Sequence, residues 1–482
     1  MNATIELPLW LGIALIALTG LWLWQHFILP SARWYMRRRA NRVIHEVNER
    51  LALRLPSFKL TRREVLIDRL AWHPRVLEQV DSMAAEKGLP REVLMRDVQA
   101  YAREIVPAFN ALLYFKGAYW FARKTVHALY RVRLGFADDE ALGKLDENTS
   151  VVFVMNHRSN MDYILATYLA VEKTALSYAV GEWARIWPLQ QLIRAMGGYF
   201  VRRDSGDPLY RRVLESYVQM AAEGGVPQAV FPEGRLSRDG KLGAAKMGLL
   251  GYLVRGFEPS GGRDIVFIPV GINYDRVIED RSLLRYKKRL PRRGMFYSAA
   301  TSLRYVGKQF VFALLGKRYK NGYACVNFGK PISLRTWIEE NQPDHDLEDV
   351  TLLANYLMNC IGSITPLLPV ALVATIFVNN QQRSYSELEL KNAVFELLQR
   401  LEAAGYRAYI PRADRDYSVT VGVRMLTLRH ILHEDNGVYK LDEKELELLQ
   451  YYANSIEHLV DTLSPTPADT NLINPTTLSN EK

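Results

Sequence analysis

The chain has 482 residues, nearly half of them apolar, and carries 62 basic against 52 acidic side chains for a formal charge of +10. That length allows a sizeable core in two or three domains, while two cysteines, Cys325 and Cys360, exclude a disulfide framework and offer no metal-ligand spacing. The basic balance points to anionic partners, but the charge is gathered in no recognisable nucleic-acid module, which leaves phosphorylated small molecules and anionic lipid.

Taken in chain order, residues 7–29 hold no charged side chain, with Trp10 near one end and Trp22, Trp24 and Trp34 near the other. At 1.5 Å per residue such a run reaches about 30 Å, enough to cross a bilayer with aromatic belts at its ends. A cleaved signal would need a basic start, yet only Glu6 is charged before the run, and Arg33, Arg37, Arg38, Arg39 and Arg42 follow it. The expectation is a single retained anchor over residues 1–30, with the rest of the chain on the cytoplasmic side. Residues 31–135 read as helical, with a break at Gly88-Leu89-Pro90. Within them, residues 110–133 interleave Tyr114, Phe115, Tyr119, Trp120 and Phe121 with Lys116, Arg123, Lys124, Arg131 and Arg133, a composition suited either to a buried helix with solvated ends or to a lipid interface.

From 148 to about 335 strand-like and helical segments alternate, which predicts an α/β domain with a mainly parallel sheet over 136–380. Residues 295–315 are again apolar and aromatic between basic flanks and suit an interface, whereas Pro366 and Pro369 argue that 361–378 is core rather than a membrane span. A small accessory domain is expected over 381–463, with helices at 385–404 and 442–463 and a strand at 417–421 ended by Gly422. The tail 464–482, rich in Pro, Thr, Asn and Ser, is expected to be disordered.

Four strand-like segments each end in polar or special-backbone residues. The apolar run 151–155 leads into Asn156-His157-Arg158-Ser159-Asn160-Met161-Asp162-Tyr163. A histidine five positions before an aspartate can take a hydroxyl proton while the carboxylate orients the ring. Such a pair arises about once by chance in a chain this long, so its company decides. That company is Gly198-Tyr199-Phe200-Val201-Arg202-Arg203, then Phe231-Pro232-Glu233-Gly234-Arg235-Leu236-Ser237-Arg238, then Ile268-Pro269-Val270-Gly271-Ile272-Asn273-Tyr274-Asp275. In an open α/β sheet ligands bind beyond the carboxyl ends of the strands, so the four blocks are expected to converge on one cleft. Ser159 beside His157 is poorly spaced for a nucleophile, and Asp162 doubles as a cap for the helix expected from Tyr163.

These four blocks, in this order, resemble those of the glycerolipid acyltransferase superfamily and within it the glycerol-3-phosphate acyltransferases, over roughly residues 100–380. The resemblance implies a His157–Asp162 catalytic pair, with substrate-binding roles for Arg158, Arg202, Arg203, Glu233, Gly234, Arg235, Ser237, Arg238 and Pro269. It implies acyl transfer from acyl-CoA or acyl-carrier protein to glycerol 3-phosphate at an anionic membrane, with no cofactor, no metal and no nucleic acid. Dihydroxyacetone phosphate and lysophosphatidate are alternative acceptors, and an inactive lipid-binding scaffold is the alternative of another class. The third block departs from the family pattern: Arg235 sits one place early and Leu236 takes the usual arginine position, which leaves open whether Arg235 or Arg238 faces a phosphate.

Overall fold

The computed structural model describes residues 9–31, 34–35, 38–39, 55–136, 145–146, 148–170, 174–202, 205–287, 321–341 and 347–463. The segment expected at 295–315 and the tail 464–482 lie outside the described residues, as does Arg203.

The first helix, Leu9–Leu23 (α1), continues through a π-helical turn so that 23 residues, Leu9–Ser31, are long and apolar enough to cross a membrane, with none of that window buried against the protein. Helices Pro74–Lys87 (α2) and Arg91–Ile105 (α3) flank the predicted break, where Gly88 takes a left-handed φ of 61° and Pro90 precedes the next helix. Tyr119–Leu129 (α4) then leads into the first strand, Arg131–Phe136 (β1).

The central sheet comprises β1, Thr149–Met155 (β2), Ser177–Gly181 (β3), Tyr199–Val201 (β4), Gln228–Val230 (β5), Asp264–Tyr274 (β6), Tyr323–Phe328 (β7) and Ile332–Ser333 (β8). Its order is β1-β7-β6-β2-β5-β3-β4, with β8 on β6. The strands β6, β2, β5, β3 and β4 are mutually parallel, whereas β7 and β8 run antiparallel to β6. The mainly parallel sheet flanked by helices is thus as the sequence predicts. Alternation along β2 explains why that strand reads as an unbroken apolar run: Val151, Phe153 and Met155 join one apolar cluster and Val152 and Val154 another. Both faces are covered, so neither set of alternate residues is spared from burial.

Neither Pro269 nor Gly271 ends β6, which runs eleven residues to Tyr274. Pro269 is tolerated because its outer neighbour changes there: β8 pairs as far as Phe267 and β7 begins at Val270, so the missing N–H falls in the gap. The consequence is that β6 outruns β2, whose last paired residue, Met155, faces Val270.

Beyond β8, Leu347–Ser363 (α5) and the buried helix Pro369–Asn379 (α6) bear out the core assignment of 361–378. Glu387–Ala403 (α7) opens with a capping box between Ser386 and Glu389. The expected strand at 417–421 is instead part of helix Arg415–Thr427 (α8), capped by Asp414. Its β-branched residues serve burial against α6: a Cβ on Gly422 would lie 2.6 Å from the Pro369 carbonyl, so the glycine marks a helix crossing rather than a strand end. Tertiary packing overrides β propensity here. The helix expected at 442–463 is divided, with Leu446–Ala453 (α9) ending before Asn454-Ser455 and a short turn of helix at Glu457–Val460. Apolar residues of α6, α7, α8 and α9 belong to the same cluster as one face of the sheet, so residues 381–463 share its core.

A buried ionic clasp joins this C-terminal segment to the turn after β6. Arg429 reaches Asp280 at 2.5 Å and the Tyr452 hydroxyl at 2.7 Å, with side-chain exposures of 9% and 5% for the ion pair. Removing one partner of a buried pair strands the other charge, which costs roughly 3–5 kcal/mol. Arg429→Met is therefore expected to lower unfolding stability by about that amount, read from urea or thermal melts, and Asp280→Asn with Arg429→Met together should recover part of it.

Candidate active site

His157 follows β2 by two residues, and the loop is held from three sides. Asn156 extends the β2–β6 ladder with its side chain: its amide donates to the Ile272 carbonyl at 2.9 Å and accepts from the Ile272 N–H at 2.8 Å. The third block, after β5, takes both backbone groups of His157. Glu233 Oε1 accepts the His157 N–H at 2.8 Å, and the Ser237 N–H donates to the His157 carbonyl at 2.9 Å. The second Glu233 oxygen accepts the Gly243 N–H at 3.0 Å, so this carboxylate is a brace between two loops. Burial raises its pKa, and the two N–H donors partly offset that.

The imidazole Nδ1 lies 2.9 Å from Asp162 Oδ2. The same oxygen accepts the N–H groups of Arg158 at 2.7 Å and Ser159 at 3.0 Å, while Oδ1 accepts the Tyr274 hydroxyl at 2.6 Å. Asp162 therefore caps no downstream helix: helix Met161–Ala170 has already begun, and the carboxylate holds the loop before it. With Nδ1 engaged, Nε2 is the nitrogen left to exchange a proton with a substrate. Phe231 stacks on the imidazole at 4.2 Å and Tyr163 meets it edge-on at 5.4 Å, an aromatic sleeve that fixes the ring plane. Ser159 is committed elsewhere: its hydroxyl donates to Glu279 at 2.8 Å, and Asn160 donates to the other Glu279 oxygen at 3.1 Å. Burial raises the Glu279 pKa as well.

The remaining sequence candidates separate. Arg158 is buried, donates to the Gly240 carbonyl and lies over the Tyr451 ring at 5.4 Å, so it ties the His157 loop to α9. Gly240 permits that approach, since at φ 88° its Cβ would fall 1.9 Å from the Tyr451 carbonyl. Gly234 turns the third block, with Arg235 and Arg238 exposed beside it, and Ser237 also accepts from the Gly240 N–H at 3.1 Å. Pro269 sits within the sheet opposite Val154, three residues short of the histidine along the neighbouring strand. Arg202 follows β4, three strands across from β2, on the order of 14 Å away at sheet spacing. Its guanidinium is filled by Glu104 of α3, at 2.9 and 2.7 Å, between the rings of Tyr101 and Tyr210. That hydrogen bonding raises the Arg202 pKa; Glu104, though raised by burial, is brought below its ordinary value by Arg202 and Arg185.

Residues 137–273 match the Acyltransferase family, and residues 309–462 match the glycerol-3-phosphate acyltransferase C-terminal region, together more than half the chain. These matches and the named relatives support assignment to the glycerol-3-phosphate acyltransferases, which the chain resembles. Among named relatives, the glycerol-3-phosphate acyltransferase of Pseudoalteromonas atlantica is 28% identical over 329 residues, covering 64% of this chain and 39% of that protein. That of Pseudomonas fluorescens is 26% identical over 446 residues, covering 88% and 51%. The chain thus spans about half the length of these relatives, or less. The solved structure of the 1-acyl-sn-glycerophosphate (LPA) acyltransferase from Thermotoga maritima aligns at 16% identity and a TM-score of 0.31 over 62% of this chain and 96% of that one, too slight a likeness to bear on substrate.

Asn156, Tyr163, Phe231, Tyr274 and Glu279 carry the site without having been given roles from the sequence. The signal for Tyr274 was its place in step with Ile268, Val270 and Ile272, which share one face of β6. Because Glu233 braces backbone, Glu233→Gln should weaken the loop by roughly 1–3 kcal/mol, since one N–H loses its acceptor. The expected kinetic outcome is a lower kcat with both substrate KM values nearly unchanged, measured by steady-state assay across both substrates.

Proposed function

We propose that the chain transfers a fatty acyl group from an acyl thioester, acyl-CoA or acyl-carrier protein, to the sn-1 hydroxyl of glycerol 3-phosphate. The observation that carries this reading is the buried His157–Asp162 pair, in which Nδ1 is engaged and Nε2 makes no hydrogen bond among the described residues. Nε2 takes the hydroxyl proton as the substrate oxygen attacks the thioester carbonyl. Asp162 holds the ring and offsets the charge it gains. When the tetrahedral intermediate collapses, the C–S bond breaks and the imidazolium returns its proton to the departing thiolate, so acyl group and proton balance within one pair of substrates. A placed base of this kind contributes on the order of 10² to 10⁴ in rate.

The acceptor phosphate is assigned to the exposed arginines of the third block, Arg235 or Arg238, with Arg203. Arg202 shares that role only if phosphate displaces Glu104 from its fork. Arg235→Ala and Arg238→Ala should each raise the acceptor KM and leave the donor KM alone, and the larger effect identifies the contact. Glu104→Gln should lower the acceptor KM if Arg202 takes part, and leave it unchanged if Arg202 is structural.

The membrane is the proposed setting. Leu9–Ser31 serves as the span, the arginines after it favour the cytoplasmic side for the catalytic domain, and α4 presents Trp120 and Phe121, 60% and 52% exposed, between exposed Lys116, Arg123 and Lys124. Anionic lipid suits that surface, and flotation of a chain lacking residues 1–30 should show salt-sensitive binding to anionic vesicles that Trp120→Ala with Phe121→Ala abolishes.

The deciding experiment assays purified protein with each acceptor, including dihydroxyacetone phosphate and lysophosphatidate, against each donor, with product mass analysis. His157→Ala should lose transfer by at least about 10³-fold and Asp162→Asn nearly as much, both folded. Turnover by His157→Ala at the wild-type rate would defeat the mechanism, and no transfer by the intact chain with any pair would favour a lipid-binding scaffold.

A further inference from the structure

We infer that Tyr274 is a positioning residue of the catalytic pair, setting both the geometry and the basicity of Asp162; the inference rests on the acyl-transfer reading of that pair. Asp162 and Tyr274 are 0% and 1% exposed. The phenol donates to Asp162 Oδ1 at 2.6 Å, a short charge-assisted contact, while Oδ2 faces His157. Each carboxylate oxygen is thereby given one direction. The loop N–H groups and the imidazole share Oδ2, and among the described residues the Tyr274 hydroxyl is the donor to Oδ1.

The placement follows from the strand. Residues 268, 270, 272 and 274 of β6 point into one apolar cluster, the one that also receives Met161 and Leu165 of the helix bearing Asp162. Because β6 outruns β2, its last residue reaches past the sheet edge to the loop where Asp162 sits. Tyr130 packs on the Tyr274 ring at 5.3 Å and prevents it from swinging away. The phenol cannot itself relay a proton at ordinary pH: burial, and next the negative charge of Asp162, raise its pKa well above the usual range. It acts as a fixed donor.

The groups around Asp162 give the direction of the effect. They are His157 and Arg158 from the loop, Tyr274 from β6, Glu279 from the turn beyond it and Tyr451 from α9. Glu279 adds negative charge, and the donated O–H proton draws electron density from the carboxylate. Removing that proton makes Asp162 a stronger base toward the imidazolium. Losing that fixed donor also frees the carboxylate to turn away from Nδ1, which misaligns Nε2 for the substrate proton.

The test compares Tyr274→Phe, which keeps the ring and its packing, with 3,5-difluorotyrosine at position 274, which donates more strongly. For Tyr274→Phe we expect kcat to fall about tenfold, in line with the loss of a hydrogen bond to a charged group, acceptor and donor KM to stay near wild type, and the acid limb of kcat/KM to move to higher pH. For the difluoro variant the acid limb should move the opposite way. The downfield NMR resonance of the proton between His157 and Asp162 should shift in opposite senses in the two proteins, a readout that needs no substrate. Should Tyr274→Phe fail to fold, the difluoro protein alone decides. An unmoved acid limb and an unmoved resonance in the folded variants would overturn the inference while leaving the pair catalytic, whereas wild-type turnover by His157→Ala would instead overturn the acyl-transfer mechanism beneath it.

Discussion

One buried carboxylate organises this molecule. Asp162 accepts from an imidazole, two backbone N–H groups and a phenol, and these four donors come from a loop and from the far end of the longest strand. A negative charge removed from water is tolerated only when its lone pairs are filled. The loop 156–162 is consequently not free to rearrange. Any displacement that relieved one donor would leave the carboxylate short of a partner in a medium that magnifies the loss.

The same logic spreads outward through Glu233 and Glu279. Glu233 is buried and Glu279 half-buried, both are raised in pKa, and each gives both oxygens to the His157 loop or its neighbours. The first, third and fourth motif blocks are therefore joined by polar braces. Residues that a family resemblance assigns to substrate, such as Glu233, Ser237 and Arg158, do structural work on the histidine first. That does not bar them from touching substrate, but it fixes the order of consequences when they are changed: geometry of the base, then binding.

The C-terminal segment takes part in this scheme. Arg429 and Tyr452 hold Asp280, the residue after Glu279. Asn454 donates to the Asp239 carbonyl, Lys241 pairs with Glu457, and Tyr451 underlies Arg158. Helix α9 and the turn after it thus touch the loops of three blocks. A segment whose sequence reads only as charged, amphipathic helix is fastened to the His157–Asp162 loop through the backbone of Gly240 and the ring of Tyr451. Loss of this fastening would be felt at His157 through two intermediaries.

The sequence by itself determined most of the elements and the residues from which the chemistry is proposed. Unbroken apolar runs at β2 and β6, the Gly88-Leu89-Pro90 break, the uncharged N-terminal helix and the His157–Asp162 spacing are local patterns, and local physics makes them legible: periodicity, backbone permissiveness and charge. Tertiary structure alone decided which groups meet. The strand expected at 417–421 became a helix because α6 offered it a buried face. Arg202, chosen from sequence for a phosphate, found Glu104, which lies 98 positions earlier in the chain. Tyr274 and Glu279 acquired roles because β6 overshoots β2, a matter of register between strands more than a hundred residues apart. Such contacts depend on where two distant segments are set side by side, and no pattern confined to either segment encodes that.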